Sequence, residues 1–326
     1  MYSIAHIIAY FLDGKGHWPD YIDWYMASCK ANPTVDFYIF TDSHQLDRWD
    51  SIKNIHIVHM SFEECKDRIE EKFGTRKIGR PYKLCDYKTV YGILFEDWVK
   101  EYDFWAFGDC DLLLGDLRAV FTDEFLDKYD RFQVLGNLQI IRNTKEINDQ
   151  YLLKRPEWSA YKEYTWERVI SREGYCGFDE WTGLPFLVKE NGGRIYWNRE
   201  NFTNIYQDWK YKKMLDNTVQ ENTLFQYWLW ENGKIYHVDK LTGKRKERLY
   251  IHFSNRKLKT VPFKGQNRIC MTVNSEFKEK VSLKDTFEGM DFFRVYSKKI
   301  KEYIIWHIKH PKGNDKRTEP SGKEEN

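Results

Sequence analysis

A short apolar run that ends in carboxylates constrains the fold of this chain more than any other stretch. Residues 104–107 are almost wholly apolar and are followed by Gly108, Asp109 and Asp111. A run of this length and composition is typical of one strand that is buried on both faces. Because Gly108 permits unusual backbone dihedrals at the strand end, both carboxylates can turn towards one point.

Two acidic groups at one point repel each other unless a cation lies between them. Asp109 and Asp111 therefore indicate a divalent-metal site of hard oxygen ligands, which suits Mg²⁺ or Mn²⁺. The alternative is a polar turn that closes a core strand, since a bare Asp-x-Asp occurs by chance roughly once or twice in a chain of this size.

Strand and helix patterns alternate along the first hundred residues. The predicted strands span residues 4–11, 35–41 and 52–60. One helix is predicted from Trp18 and Pro19 towards Cys29, and another begins at the capping-box pattern of Ser61 and Glu64. This alternation predicts an α/β fold with a mostly parallel central sheet flanked by helices. Ligands in such sheets bind beyond the carboxyl ends of the strands, where the acidic pair lies.

A second polar group lies at the start of a helix predicted to run to about Lys100. Lys83, Asp86 and Lys88 share roughly one face at helical spacing. This face is either an ordinary solvated surface or a helix start that lends positive charge to a diphosphate.

Two later stretches also carry candidate polar groups. Asp179 and Glu180 lie in a glycine-punctuated acidic cluster before an apolar helical run, where Asp179 could simply cap the helix. His252 ends a predicted strand that leads into a basic loop, and a lone histidine there is more often a satisfied core group than a ligand. Between these stretches, Asn232 and Gly233 predict a β-hairpin turn.

Composition excludes several classes of protein. The net charge of +2 gives no global basic field, which argues against nucleic acid as a partner. The six cysteines form no Cys-x-x-Cys pair, so a zinc site is disfavoured and a reduced, cytoplasmic interior is favoured. The N-terminus reads as a core strand rather than a signal peptide, and no apolar run approaches the roughly 20 residues needed to span a bilayer.

The last part of the chain changes character. Residues 286–310 contain a basic amphipathic helical pattern, which suits either peripheral contact with an anionic membrane surface or packing on the domain with lysines in water. Residues 311–326 are charged and lack large apolar side chains, which predicts a disordered tail.

Several separated motifs, taken in order, resemble bacterial glycosyltransferases of the GT-A fold, and most of all the small enzymes that build capsule and lipopolysaccharide. The resemblance covers residues 4–259. The matching segments are residues 7–11, 28–33, 36–42, 82–88, 108–112 and 252–257. It implies a single GT-A-like, Rossmann-like domain over residues 1–285, followed by the amphipathic helix. The loop of residues 12–16 departs from the pattern by an insertion, which leaves the donor open.

The same resemblance implies roles for individual residues. Asp109 and Asp111 match the DXD motif, which holds the Mn²⁺ or Mg²⁺ that bridges the nucleotide diphosphate, and His252 matches a histidine that completes the metal site. The implied donor-binding residues are Lys83, Asp86, Asp109, Arg256 and Lys257. Asp179 and Glu180 match the acidic position at the acceptor and are the candidate catalytic bases if the reaction inverts configuration.

The resulting hypothesis is a metal-dependent glycosyltransferase of the hexosyltransferase type. It would move a sugar from a nucleotide-sugar donor, most simply a UDP-sugar, to a glycan or lipid-linked acceptor in bacterial surface polysaccharide biosynthesis. Its expected location is the cytoplasm, with peripheral contact to the cytoplasmic face of the inner membrane. Two other classes stay open: a hydrolase with paired carboxylates, either a glycosidase or a phosphoesterase, and a glycan-binding protein without enzymatic activity.

Overall fold

The computed structural model divides into two compact units, Met1–Trp197 and the part that begins at Asn198, and each is described by itself. The structure describes residues 1–12, 16–198, 202–208, 213–216, 225–253, 258–272, 276–282 and 285. Three features predicted from the sequence lie outside these ranges: the basic loop residues Arg256 and Lys257, the helix of residues 286–310 and the tail of residues 311–326. The predicted domain boundary at residue 285 stays a prediction.

The first unit is built on a seven-stranded sheet with the strand order β3-β2-β1-β4-β7-β6-β8. Strands β3, β2, β1 and β4 are parallel, β7 is antiparallel to both β4 and β6, and β8 is parallel to β6. The strands are β1 Ile4–Ala9, β2 Asp36–Thr41, β3 Ile55–His59, β4 Phe104–Gly108, β5 Leu112–Leu114, β6 Arg131–Phe132, β7 Leu138–Arg142 and β8 Ile195–Tyr196, of which β5 lies outside this sheet. The predicted α/β class with a mostly parallel central sheet is confirmed.

Nine α-helices accompany this sheet in the described part of the chain. They are α1 Ile22–Lys30, α2 Phe62–Phe73, α3 Leu84–Tyr87, α4 Tyr91–Leu94, α5 Glu96–Val99, α6 Asp123–Lys128, α7 Lys145–Asn148, α8 Trp166–Ser171 and α9 Leu184–Glu190. The capping box at α2 is confirmed, because Ser61 and Glu64 each accept the other's backbone N–H. Residues of α2, α4 and α9 share one apolar cluster with Trp105 and Phe107 of β4, so helices cover the central strand.

The single helix predicted up to Lys100 is wrong, because the segment breaks into α3, α4, α5 and short 3₁₀ turns. Val90 and Phe95 leave the helical region of φ and ψ, at (−125°, 16°) and (−114°, 28°). Gly92 lies so close to the sheet that a Cβ atom there would be 2.3 Å from Nε1 of Trp105. Close packing on β4 therefore overrides the continuous helical pattern.

The second unit is mostly β-structure in its described residues. Strand β9 pairs antiparallel with β10 and parallel with β14, and a separate antiparallel sheet has the order β13-β12-β11-β15-β16. The strands are β9 Phe202–Asp208, β10 Lys213–Asp216, β11 Gln226–Glu231, β12 Lys234–Asp239, β13 Arg245–Arg248, β14 Tyr250–His252, β15 Arg268–Thr272 and β16 Phe277–Lys278. The predicted hairpin between β11 and β12 is confirmed, with φ of 50° at Asn232 and 78° at Gly233, as a two-residue turn of this type requires.

Among the helices that the structure describes, none has the length and apolar character to cross a bilayer.

Candidate functional site

The acidic turn lies at the carboxyl end of β4, the strand on which the fold is centred. Side-chain oxygens of Asp109 and Asp111 lie within 4.8 Å of each other, so the predicted convergence of the two carboxylates is confirmed. The backbone N–H of Asp109 donates to the carbonyl of Asn137 at 3.0 Å, which fixes the turn against the chain that enters β7. This arrangement brings the carboxylate oxygens of two residues close together at the carboxyl end of the central strand.

Gly108 is needed at this turn because its neighbours leave no room for a side chain. A Cβ atom there would lie 2.8 Å from Nε2 of His6 and 2.9 Å from the carbonyl oxygen of Asn137. His6 is completely enclosed beneath the turn, and burial lowers the pKa of its imidazole to about 3. The imidazole of His6 is therefore neutral near pH 7 and adds no positive charge beneath the turn.

Lys88, which the sequence placed on a helix face that is either solvated or directed at a diphosphate, is instead a buried cation beside the acidic turn. Its Nζ forms an ion pair with Asp109, donates to the carbonyl of Gly136 at 3.0 Å and lies 3.6 Å from Oδ2 of Asp179. Burial by itself disfavours the ammonium, but the charge of Asp109, supported by Asp179, raises the pKa of Lys88 well above its usual range. Lys88 is therefore charged and links the acidic turn to Asp179.

Asp179 is a buried carboxyl with polar partners. It accepts a hydrogen bond from the hydroxyl of Tyr175 at 2.9 Å and is 2% exposed. Burial raises the pKa of Asp179 to about 7, against the opposing effect of Lys88. The capping role considered for Asp179 is wrong, because α9 begins only at Leu184 and its N-cap is Gly183.

Glu180 is exposed, and its carboxylate faces the same backbone as Asp179. The N–H of Gly136 donates to Oε2 of Glu180 at 3.4 Å. A Cβ atom on Gly136 would lie 2.4 Å from Oδ2 of Asp179 and 3.2 Å from Oε1 of Glu180, so only glycine permits this approach. The two acidic candidates and the acidic turn are thus joined through Lys88 and Gly136.

Lys83 and Asp86 lie in the interior, where both side chains are 0% exposed, so the interpretation of this face as a solvated surface is wrong. Lys83 Nζ contacts Asp86 Oδ2 at 2.9 Å and donates to the carbonyl of Gly174 at 2.9 Å. The Asp86 carboxylate accepts the N–H groups of Cys176 and Phe178, at 2.8 and 2.9 Å. The pair anchors the loop that precedes Asp179, and the contact with a donor that the sequence predicted for it stays a prediction.

The remaining sequence-predicted site residues belong to the second unit. His252 is the last residue of β14 and is half-buried. Arg256 and Lys257 lie outside the described residues. The roles predicted for all three in metal or donor binding stay predictions.

The donor set of the acidic turn fits a hard divalent cation. Two carboxylates within 4.8 Å of each other supply the oxygen ligands that Mg²⁺ and Mn²⁺ prefer. Lys88 beside Asp109 adds a fixed positive charge, and Asp179 adds a group whose pKa lies near neutrality. A site of this kind can stabilise an anionic leaving group and accept a proton in the same reaction.

An α/β sheet with a carboxylate pair and a buried lysine at the end of its central strand defines this chain as a candidate ligand-binding or catalytic protein. The chain belongs to the family of unknown function DUF6625, whose model matches residues 6–281. No curated protein matches the sequence.

Several solved structures share a distant likeness with the chain. Mouse xyloside xylosyltransferase 1 has 9% identity and a TM-score of 0.40, and the match covers 64% of this chain and 89% of that one. The galactosyltransferase LgtC, in complex with donor and acceptor sugar analogs, has 10% identity, a TM-score of 0.38 and coverages of 78% and 87%. The glycosyltransferase GlyE of Streptococcus pneumoniae TIGR4 has 14% identity, a TM-score of 0.36 and coverages of 62% and 46%. Because these TM-scores are below 0.5, the likeness carries no argument about the function of this chain.

Proposed function

We propose that this protein is a metal-dependent glycosyltransferase that transfers a sugar from a nucleotide-diphosphate donor, most simply a UDP-sugar, to a glycan or lipid-linked acceptor. The observation that carries the proposal is the convergence of Asp109 and Asp111 at the end of β4, with Lys88 beside them. We further propose that the reaction belongs to bacterial surface polysaccharide biosynthesis, in line with the motifs that resemble capsule and lipopolysaccharide enzymes.

The chemistry of the leaving group explains why this set of residues suits the reaction. Glycosyl transfer passes through an oxocarbenium-like transition state, as glycoside hydrolysis does, and here a nucleoside diphosphate departs with negative charge. Asp109 and Asp111 would hold a divalent cation, with His252 proposed as a third ligand, and the cation would act as a Lewis acid on the diphosphate. Lys88 is buried and forms an ion pair with Asp109, so its proposed role is to hold that carboxylate in place.

The acceptor hydroxyl needs a base if the reaction inverts configuration. Asp179 is the better supported candidate, because a pKa of about 7 matches the operating range of a general base. Glu180 is the more exposed of the two and is the alternative base. If configuration is retained, neither residue has to take the proton.

Donor contacts from Lys83, Asp86, Arg256 and Lys257 are proposed on the resemblance alone. A cytoplasmic location, with residues 286–310 in peripheral contact with the inner membrane, is proposed on the basic amphipathic pattern. Flotation with anionic liposomes tests that contact, and equal flotation of the full chain and a chain ending at residue 285 would contradict it.

The test of the proposed function is product analysis with UDP-sugars, Mn²⁺ and added glycan acceptors. We expect transfer to an added sugar, and we expect Asp111→Ala to lower the rate at least about a hundredfold, the scale of losing one transition-state contact. Asp20→Ala, which changes an exposed aspartate, is the matched control and should keep full activity. Transfer to water alone would favour the hydrolase, and glycan binding that survives EDTA without turnover would favour the binding protein.

A further inference from the structure

Two histidines and an aspartate form a separate cluster on the first unit. Nδ1 of His44 lies 2.9 Å from Oδ2 of Asp47, and Nε2 of His59 lies 3.0 Å from Oδ1 of the same carboxylate. One ligand atom from each residue lies within 4.8 Å of those of the other two. The two imidazole rings lie side by side, with centroids 4.2 Å apart and an angle of 37° between the ring planes. Two ring nitrogens therefore converge on one carboxylate.

The backbone that carries these residues is held in place by the sheet. His59 ends β3, where it is the register partner of Thr41 on β2, and the next N–H, of Met60, donates to the carbonyl of Thr41 at 3.0 Å. His44 and Asp47 lie on the 3₁₀ turn that follows β2, whose N-cap Ser43 accepts the N–H of Gln45 at 3.3 Å. The three side chains therefore start from fixed positions at the ends of two neighbouring strands.

The cluster is distinct from the acidic turn. Strands β2 and β1 separate β3 from β4 in the sheet. At about 4.8 Å per strand, the ends of β3 and β4 lie roughly 14 Å apart. The two sets of ligands therefore cannot share one ion.

The donor chemistry differs as well. The absence of Cys-x-x-Cys pairs argues against a thiolate-bound zinc, but two imidazole nitrogens and one carboxylate oxygen form a zinc donor set of another kind, with a further position for water, whereas Mg²⁺ and Mn²⁺ prefer oxygen. Ligand atoms bound at about 2.0–2.1 Å to a tetrahedral zinc lie about 3.4 Å from each other. The two histidine–carboxylate distances of 2.9 and 3.0 Å are slightly shorter than this value, and side-chain exposures of 78%, 47% and 42% for His44, Asp47 and His59 leave room for the small rotations that would lengthen them.

We propose that His44, Asp47 and His59 form a zinc-binding site that fastens the turn after β2 to the end of β3. The zinc would replace the two histidine–carboxylate hydrogen bonds, which at this exposure contribute little to stability by themselves. Because the ion would bind the folded state and not the unfolded state, it would raise the free energy of unfolding. This inference does not depend on the proposed transfer reaction.

The experiment is a thermal-shift titration of the full chain with ZnCl₂, without nucleotide or manganese. We expect the melting temperature to rise by a few degrees as Zn²⁺ exceeds its dissociation constant. His44→Gln and His59→Gln should each lose the rise while melting like the parent protein in EDTA. Calorimetry should show one zinc fewer per chain in each variant.

Two controls separate this site from other zinc effects. His56→Gln is matched, since His56 also lies on β3 and pairs with a carboxylate, Asp36, at 3.0 Å, and it should keep the rise. Asp111→Asn should keep it too, because the acidic turn is separate. No zinc-dependent rise in the parent protein, or a rise that survives in both His44→Gln and His59→Gln, would overturn the proposal.

Discussion

At the scale of single residues, Lys88 favours the charged form of Asp179. It is 8% exposed, contacts Asp109 and lies 3.6 Å from Asp179. Its charge opposes the rise in the pKa of Asp179 that burial causes. A general base is active when it is deprotonated, so the activity of an enzyme that uses Asp179 falls as pH drops through the pKa of that group.

The first prediction is therefore a pH profile. We expect kcat/KM to fall below about pH 7 in the parent protein, where Asp179 takes up its proton. Lys88→Met removes the cation that favours the carboxylate, so the acid limb should move to higher pH, and Asp179→Asn should abolish it along with most of the activity. A profile that is flat between pH 5 and 8, or an acid limb that persists in Asp179→Asn, would show that Asp179 is not the base.

The convergence of Asp109 and Asp111 could be predicted from the sequence because it depends on local features. An apolar run, a glycine and two nearby carboxylates are enough to indicate a metal-type turn at a strand end. The contacts of Lys88 could not be predicted in this way, since those to Asp109 and Gly136 join residues 21 and 48 positions apart. The only sequence signal for a role of Lys88 was the helical spacing that placed it on the same face as Lys83 and Asp86.

At the scale of elements, the short helix α3 serves as an anchor for the loop before Asp179. The Asp86 carboxylate on α3 accepts hydrogen bonds from two backbone N–H groups of that loop. The ammonium of Lys83 donates a hydrogen bond to the carbonyl of Gly174 in the same loop. A buried charge that loses its partner is strongly destabilising, because the remaining ion cannot return to water. The Lys83–Asp86 pair thus couples the stability of the unit to the position of Asp179.

The second prediction concerns this buried pair. Lys83→Met leaves the Asp86 carboxylate buried without its cation and should lower the free energy of unfolding by about 3–5 kcal/mol, measured by urea denaturation. Lys128→Met is the matched control, since Lys128 forms an exposed ion pair with Glu124 at 3.0 Å, and its cost should be below about 1 kcal/mol. Equal costs for the two variants would contradict an anchoring role for Lys83.

Secondary-structure elements could be predicted where a short-range sequence pattern determines them. They were missed where contacts with distant residues determine the backbone conformation. The strands β1, β2 and β3, the capping box of α2 and the hairpin turn at Asn232 all follow from short-range periodicity and turn chemistry. The breaks at Val90 and Phe95 follow from close packing on Trp105 instead, which no helical period reveals. The burial of Lys83 and Asp86 was missed for the same reason, since their partners lie about 90 residues further along the chain.

At the scale of the whole molecule, the proposed function depends on a cation and a nucleotide acting together. Asp109 and Asp111 bring two oxygens to one point, and a diphosphate would supply further oxygen ligands to the same ion. Nucleotide and metal should then bind more tightly together than alone, and a ligand that binds only the folded protein raises the melting temperature. This coupling distinguishes a metal-dependent donor site from a polar turn.

The most direct measurement is a thermal-shift panel of nucleoside diphosphates and nucleotide sugars, each tested with Mn²⁺ and with EDTA, on the parent protein and on Asp111→Asn. We predict that a uridine nucleotide stabilises the parent protein only when Mn²⁺ is present, and that Asp111→Asn loses this stabilisation while keeping its melting temperature in EDTA. Stabilisation that is equal in EDTA, or that persists in Asp111→Asn, would contradict a metal-dependent donor site at the end of β4. A melting temperature that no nucleotide changes, with or without Mn²⁺, would also contradict this site.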